Sequence, residues 1–421
     1  MSSADNATQS PAFAMQTSRK PSQSNIVQEL RDFLAASDNT SFASDFKESF
    51  NKALNSGIRE FEDFSIKTFD DYIDWYEYLL GWVPSEQQDG QFVYRVLCLF
   101  YFVMNFPPLL NRTSPILPTT HSPYTWLSQW VVRYAKEIGK FMDTPDSITP
   151  YTIATFRNSP SYNMDDYPVP EGGWKTFNEF FARKVDPEKR HIQDPDSNLT
   201  ITSPADSVFD GSWDVDGSAQ ITVKNVPWPI TELLDDAHSP NGQNYGSTFG
   251  GGQFCHAFLG PHDYHRQHAP VNGKVIEARV IEGLCYLEVG TKPDANGRLI
   301  LAPRRRIQSQ DQPDPIPTGA NLDAPDSTGY QFIQARALIL IETKDIGLVA
   351  VLPIGMAQVS SVVLSVKAGD EVKKGQEISY FQFGGSDIVM VFQKKANVQF
   401  TAIEGEHYNV GMPVAKASAA K

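Results

Sequence analysis

The spacing of apolar residues changes along this chain, and this change limits the fold more than any other feature of the sequence. Up to about residue 144, large apolar and aromatic side chains recur at helical spacing. From about residue 195, short runs rich in β-branched and aromatic residues alternate with Gly, Pro, Asp and Asn, as strands and turns do. The sequence therefore predicts an α+β protein, with an N-terminal helical domain followed by a β-rich domain.

The same patterns predict the boundaries of the segments. Residues 1–24 are polar and rich in Ser and Gln, and we expect a disordered tail there. The helical domain covers 25–144, and a connector covers 145–194, rich in Pro, Ser and Asn as far as residue 170. The β-rich domain covers 195–421. Its long polar stretch at 290–330 is expected to be a lid or a disordered insertion.

Aromatic stripes in the helical domain predict a packed core rather than a ligand site. Thr68 is expected to open a helix, because apolar residues follow it at helical spacing. The apolar face of this helix carries Tyr72, Trp75, Tyr76 and Leu79. The pattern accounts for folding, and it indicates no function for 25–144.

The composition argues against several classes of function. The chain has 36 Lys and Arg residues against 50 Asp and Glu, and the net charge of −14 disfavours nucleic acid and anionic lipid as partners. Its three cysteines are too few and too scattered for a disulfide framework or a zinc knuckle. The most apolar run, 96–104, is about half the length that spans a bilayer. We therefore expect a soluble, cytoplasmic protein without a transmembrane segment.

A serine near the C-terminus lies between two apolar runs. Residues 378–383 and 388–392 both have the composition of strands, and Gly384 and Gly385 directly precede Ser386. Glycine tolerates the backbone angles that would let the serine hydroxyl approach its own peptide bond. We therefore expect Ser386 to be cut and converted into a cofactor, although a tight turn or a bulge would also use these glycines.

Half of the eight histidines lie close together, and histidine suits acid–base chemistry near neutral pH. They are His256, His262, His265 and His268. A metal site is disfavoured, because prolines bracket the run closely and no carboxylate-rich partner motif stands out. Histidines satisfied within a turn are a second alternative. Acid–base work is the favoured interpretation, and no metal is expected.

Asp206, in the turn at 203–206, would complete a Ser–His–Asp set with Ser386 and one of the histidines. A lone Asp in such a turn is also an ordinary turn former. The Gly-x-Ser-x-Gly elbow of an α/β-hydrolase is absent, because Asp387 and Ile388 follow the serine. A conventional hydrolase is therefore disfavoured.

Separate motifs occur in a specific order between residue 174 and the C-terminus. They are Trp-Lys-Thr-Phe-Asn-Glu-Phe-Phe-Ala-Arg-Lys at 174–184, Ser-Pro-Ala-Asp at 203–206, Asp-Tyr-His-Arg-Gln-His-Ala-Pro at 263–270 and Gly-Gly-Ser at 384–386. Together they resemble the motifs of the phosphatidylserine decarboxylase family, whose members make their own pyruvoyl group by serinolysis. One such motif would be weak, but the whole set in this order is specific.

The resemblance implies a role for each matched residue. Asp206 and His268 would be the base pair that activates Ser386, whose hydroxyl would attack the Gly385 carbonyl. Cleavage between 385 and 386 would give a β chain of residues 1–385 and an α chain that begins with a covalent pyruvoyl group. The two chains would stay associated, and the resemblance leaves the oligomeric state open.

Departures from the family's pattern bear on the substrate. Asp387 stands where the family usually has threonine, Gln334-Ala335-Arg336 replaces an Asn-Glu-Arg block, and no lipid-facing element is evident. In these respects the chain resembles a soluble fungal branch that includes an L-tryptophan decarboxylase. The resemblance implies decarboxylation of a free, aromatic L-amino acid, with His265 assisting the loss of CO₂ or protonating the carbanion. Phosphatidylserine decarboxylation is the alternative.

A remote alternative comes from residues 366–376, which look like the hammerhead turn of lipoyl and biotinyl carrier domains. In a carrier module, a lysine at a hairpin tip is modified, and Lys373 and Lys374 lie beside a glycine turn. The usual sequence around a modified lysine is missing. We therefore interpret the likeness as a shared hairpin shape.

Overall fold

This computed structural model describes residues 24–223, 226–303, 329–357, 361–383 and 385–418. Almost all of the predicted tail, and residues 304–328 of the predicted lid, lie outside these ranges. The described helices are α1 (Ile26–Ala35), α2 (Thr40–Leu54), α3 (Arg59–Asp63), α4 (Phe69–Leu79), α5 (Phe92–Phe102), α6 (Trp126–Met142), α7 (Pro150–Arg157), α8 (Phe177–Phe181) and α9 (Ile230–Leu233). The mixture of an N-terminal helical region and a β-rich remainder confirms the predicted α+β class.

The helix predicted after Thr68 is α4, and its start is fixed by a capping box. The Thr68 side chain accepts a hydrogen bond from the backbone N–H of Asp71, and the Asp71 side chain accepts one from the backbone of Thr68. Its predicted apolar face is buried: Tyr72, Trp75, Tyr76 and Leu79. Helix α5, which contains most of the longest apolar run, is buried on all sides. No described helix is long and apolar enough to cross a membrane.

The strands are β1 (Thr200–Thr202), β2 (Ser207–Asp214), β3 (Gln220–Val223), β4 (Val226–Pro229), β5 (Gln253–Leu259), β6 (Arg266–His268), β7 (Gly273–Ile281), β8 (Val289–Pro293), β9 (Leu299–Pro303), β10 (Arg336–Glu342), β11 (Leu348–Met356), β12 (Val362–Leu364), β13 (Glu371–Val372), β14 (Glu377–Phe381), β15 (Gly385–Phe392), β16 (Gln399–Phe400), β17 (His407–Tyr408) and β18 (Pro413–Lys416). Eight of them form the main antiparallel sheet, in the order β13-β7-β10-β11-β15-β5-β2-β17. Three further strands form a smaller sheet, in the order β12-β14-β6. Strand β15 therefore lies near the centre of the main sheet.

The two faces of β15 belong to different clusters of buried side chains. Ile388, Met390 and Phe392 share one cluster with the aromatic residues of the N-terminal helices. Val389 and Val391 belong to a second cluster that includes Trp228 of β4 and residues of α9. Successive side chains of a strand point to opposite faces, so this arrangement follows from the continuous apolar run after Ser386.

Two segments contain more regular structure than their sequences predict. The hairpin β8–β9 includes residues 290–303 of the predicted polar stretch, and its Asp294 forms an ion pair with Arg59 of α3 at 3.0 Å. The connector 145–194 contains α7 and α8, each of which begins at a threonine whose side chain accepts a backbone hydrogen bond. Each of these elements is short, so it contains too few apolar repeats for its periodicity to be recognised in the sequence.

Candidate active site

Ser386 lies inside the main sheet, one residue after the start of β15. It pairs with Gly355 of β11 on one side and with Leu259 of β5 on the other. Its side chain is fully buried. Gly385, its neighbour at the expected scissile bond, pairs with Met356. The bond expected to break is thus held on a rigid element rather than on a loop.

His265 is the histidine in direct contact with this serine. Its Nδ1 atom lies 3.4 Å from the Ser386 Oγ atom, and its Nε2 atom lies 3.4 Å from the Pro261 carbonyl oxygen. Because a carbonyl can only accept, Nε2 carries the proton and Nδ1 presents a lone pair to the serine hydroxyl. The Phe181 ring of α8 stacks on the imidazole, with 3.9 Å between ring centroids.

The environment of His265 keeps its imidazole neutral. Complete burial, with a smaller contribution from the nearby Arg183 charge, lowers the pKa of His265 to about 3. A neutral imidazole next to a hydroxyl can take its proton as that hydroxyl attacks a carbonyl. The pair of Ser386 and His265 therefore has the geometry and the protonation state of a nucleophile and its base.

Asp206 lies in the predicted turn, before β2, and is held mainly by Arg190. The Arg190 Nε and Nη2 atoms lie 3.0 and 2.6 Å from the Asp206 carboxylate oxygens, and the backbone N–H of Val410 donates to Oδ1 at 2.8 Å. Burial raises the pKa of Asp206, and Arg190 partly offsets this shift. No local pattern in the sequence marks Arg190, because its partner Asp206 lies sixteen residues further along the chain.

His268, in β6, is engaged at both ring nitrogens. Its Nδ1 atom donates to the Gly375 carbonyl oxygen at 2.6 Å, and its Nε2 atom accepts from the Tyr264 hydroxyl at 3.0 Å. Its backbone N–H donates to the carbonyl of Pro204 at 2.7 Å, which brings the motif at 263–270 beside the turn that holds Asp206. Within the described residues, no hydrogen bond joins His268 to Asp206 or to Ser386. The roles that the resemblance implies for Asp206 and His268 stay predictions.

The motif at 174–184 supports the segment in front of the cleavage site. The Asn178 side chain of α8 accepts a hydrogen bond from the backbone N–H of Phe383 at 2.8 Å. The Phe383 ring packs against Phe177 and Phe181, with centroid distances of 5.3 and 5.7 Å. Helix α8 therefore contacts both the chain before the expected scissile bond and, through Phe181, the His265 imidazole.

His256 and His262, the other two predicted candidates, do not contact Ser386 through any described hydrogen bond. His262 is partly exposed, and its Nε2 atom lies 3.9 Å from Asp263. His256 of β5 is buried between two carboxylates: its Nδ1 atom lies 2.9 Å from Asp210 and its Nε2 atom lies 3.4 Å from Asp387. Among the described residues, no group of three or more His, Cys, Asp or Glu side chains could hold a metal ion.

The His256 environment predicts a specific pH dependence of stability. Burial alone would lower the pKa of His256, but Asp387 and Asp210 outweigh it and raise the pKa to about 9. A raised pKa stabilises the folded state fully below the unfolded-state pKa of about 6.5, and this contribution is lost as the pH rises towards 9.

We therefore expect the free energy of unfolding of the Ser386→Ala precursor to fall between pH 6.5 and 9 by about 1.4 kcal/mol per pH unit at most. Denaturant titrations across this range measure the slope. His256→Gln should remove this part of the slope. An equal slope in both proteins would show that His256 does not carry it.

Comparison with known proteins places residues 177–416 within the family model described as phosphatidylserine decarboxylase. The phosphatidylserine decarboxylase proenzyme 3 of Schizosaccharomyces pombe is 30% identical over 255 residues, which are 61% of this chain and 22% of that protein. The decarboxylase iboD of Amanita muscaria is 28% identical over 263 residues, 61% of this chain and 69% of the relative.

A bacterial proenzyme of the same description, from Fusobacterium nucleatum, is 26% identical over 269 residues and is covered over 74% of its length. The matched region starts inside the predicted motif at 174–184 and contains every residue of the predicted site. Members of this family depend on a pyruvoyl group and are formed as proenzymes. This chain belongs to the phosphatidylserine decarboxylase family.

Proposed function

We propose that this chain is a self-processing, pyruvoyl-dependent decarboxylase, cut between Gly385 and Ser386. The observation that carries the proposal is the 3.4 Å contact between the buried Ser386 Oγ atom and the Nδ1 atom of a neutral His265. The residues at this position fit a pyruvoyl group. The precursor serine is present, a glycine precedes it, and the surroundings exclude water.

The first step replaces a peptide bond with an ester. His265 takes the Oγ proton as Oγ attacks the Gly385 carbonyl carbon, and the C–N bond breaks as that proton passes to the departing amine. Loss of the Cα proton of residue 386 and cleavage of the Cβ–Oγ bond then release the Gly385 carboxylate. The dehydroalanine left behind takes up one water and loses one ammonia, which gives the ketone of the pyruvoyl group.

A pyruvoyl group at position 386 would supply a ketone that accepts the substrate amine and an electron sink for the loss of CO₂. His265 stays beside position 386 after processing, so the same imidazole is placed to deliver or remove a proton there. Asp206 and His268 are retained as candidates for the activation of Ser386, because backbone contacts bring their two motifs together.

We propose a free L-amino acid, aromatic such as tryptophan, as the substrate. The net charge of −14 disfavours docking on an anionic bilayer, and Asp387 departs from the pattern usual in the lipid-acting members. The Amanita relative is named a decarboxylase. Phosphatidylserine is the second candidate, because the names of most of the relatives specify it.

The experiment offers the cleaved protein L-tryptophan, L-phenylalanine, L-tyrosine and phosphatidylserine in mixed micelles, with the amine products quantified. We expect the amine of an aromatic amino acid to form at least about tenfold faster than phosphatidylethanolamine, since a site built for one substrate class rejects the other by more than 1.4 kcal/mol. Turnover of the phospholipid alone would exclude the amino-acid substrate and leave the decarboxylase assignment intact.

The carrier alternative is not favoured by the environment of its lysines. The Lys374 ammonium donates to the backbone carbonyls of Asp194, Ser197 and Thr200, and only 5% of this residue is exposed. A lysine held by these acceptors is poorly placed for modification by another enzyme. Lys373 is exposed, and an intact mass with a single chain plus an adduct would support the carrier.

A further inference from the structure

A cluster of charged side chains lies on the opposite face of β15 from Ser386, and the processing chemistry does not use it. Asp387, His256 and Asp210 come from the adjacent strands β15, β5 and β2. We propose that Asp387, through His256, holds the new chain end in position once the Gly385–Ser386 bond is cut. This inference rests on the proposed function, and it assigns Asp387 and His256 as positioning residues for the group at 386.

The three side chains form a chain of contacts across the sheet. The Asp387 Oδ1 atom lies 3.4 Å from His256 Nε2, and the Asp210 Oδ2 atom lies 2.9 Å from His256 Nδ1. Asp387 and His256 are both fully buried. A bulge in β2 between Phe209 and Gly211 places Asp210 beside the histidine.

Among the described residues, two uncharged side chains face His256 from the turn before β10. The Gln331 Nε2 atom lies 3.3 Å from His256 Nε2, and the Tyr330 ring meets the imidazole nearly edge-on at 6.3 Å. The neighbouring buried side chains on this face are apolar, among them Val389 and Ile354. His256 therefore lies between two carboxylates, with Gln331, Tyr330 and apolar side chains around them.

Burying such a cluster of charged side chains in a sheet costs desolvation free energy. The attraction within a buried ion pair often fails to offset the desolvation penalty of its two charges. Replacing the pair with apolar side chains of similar size often leaves a protein as stable or makes it more stable. What an ion pair supplies is a fixed direction and register. At Asp387 that register matters, because the adjacent residue is the one that becomes the reacting group.

Cleavage creates the need for an anchor. In the precursor, Gly385 ties the start of β15 to the preceding chain, while Ser386 and Asp387 pair with β11 and β5. After cleavage, residue 386 is a terminus, and termini fray unless side chains tie them down. Keeping a residue in one backbone conformation costs conformational entropy, and a contact that fixes the second residue of the new chain limits the conformations open to the first. With Asp387 held by His256, position 386 continues to face His265.

The test compares Asp387→Asn with the wild type. We expect cleavage to go to completion, because Ser386, His265 and the scissile bond are unchanged. A carbonyl reagent such as phenylhydrazine should count the same number of pyruvoyl groups. Turnover per pyruvoyl group, with the substrate that the wild type converts, should fall by about tenfold or more, since misplacement of a reacting group has effects of this size. The loss should appear in kcat rather than in KM.

Hydrogen exchange supplies a readout that does not depend on activity. In cleaved Asp387→Asn, amides of the peptide 387–392 should exchange at least about tenfold faster than in the cleaved wild type. In the Ser386→Ala background, where the chain is continuous, the same substitution removes the ion pair but frees no chain end, so it should speed exchange of the equivalent peptide clearly less than in the cleaved protein. This pair of proteins separates anchoring of a chain end from a general structural role.

Asp294→Asn is the matched control, because it also removes a largely buried carboxylate from an ion pair, with Arg59 at 3.0 Å. It should change neither turnover per pyruvoyl group nor exchange of 387–392. The inference is overturned if Asp387→Asn matches the wild type in both measurements, if it fails to cleave, or if exchange rises equally in the Ser386→Ala background. A wild type that stays a single chain refutes the proposed function instead.

Discussion

Ser386→Ala is expected to remain a single chain of 46.9 kDa with no decarboxylase activity, whereas the wild type separates into residues 1–385 and 386–421 under denaturing conditions. Ser386 has two roles in self-processing. Its Oγ atom is the nucleophile, and its own carbon atoms become the ketone. No other described side chain can supply that skeleton, so the loss should be complete rather than partial. Denaturing electrophoresis and intact-mass spectrometry measure it.

Ser379→Ala is the matched control for this substitution. Ser379 is also a fully buried serine of a strand, β14, where its hydroxyl donates to the Gln267 side chain at 2.8 Å. Its loss leaves a buried acceptor unsatisfied and should cost about 1–3 kcal/mol of stability without preventing cleavage. Cleavage in Ser386→Ala at any position near 385 would assign the cut to a contaminating protease.

His265→Ala should slow the conversion of precursor into two chains by about 10²–10⁴-fold, the usual contribution of a general base. The physical reason is that the imidazole Nδ1 atom is the acceptor for the Ser386 hydroxyl at 3.4 Å. A time course of the intact mass after synthesis in a cell-free system measures the rate. Since the pKa of His265 is about 3, its neutral form already dominates at pH 5, and the wild-type rate should not rise through a histidine titration between pH 5 and 8.

His268→Ala is the informative comparison. His268 donates to Gly375 and accepts from Tyr264, so its loss should disturb the loop at 375 more than it changes the base next to Ser386. The resemblance implies the reverse assignment, in which His268 with Asp206 drives cleavage and His265 acts in decarboxylation. Normal cleavage in His265→Ala together with an uncleaved His268→Ala would favour that assignment over the contact in the structure.

Much of the fold, and the family, can be predicted from the sequence. The run after Ser386 is continuous and apolar, and it becomes a central strand buried on both faces. The motif order predicts the family and the region that carries it, because several local signals agree. The helix after Thr68 is predictable for a similar reason, since its cap and its apolar face are both local features.

The parts that the sequence does not predict depend on contacts between distant residues. His265 and His268 are three residues apart, and only the position at which β6 begins determines which of them faces Ser386. Arg190 contacts Asp206 only because a turn brings the two together in the folded chain. Asp210 likewise reaches His256 only because of the bulge in β2. The departure at Asp387 is visible in the sequence, but its histidine partner lies 131 positions earlier on a neighbouring strand.

The most direct test of self-processing is the mass of the small C-terminal fragment of freshly purified wild-type protein, measured under denaturing conditions. We expect residues 386–421 with a mass about 17 Da below that of a hydrolytic fragment, because one ammonia is lost as the ketone forms. The fragment should also gain the mass of one phenylhydrazine adduct and resist amino-terminal sequencing. A full-length chain that decarboxylates its substrate, or a fragment with a free serine amino group, would contradict the pyruvoyl mechanism.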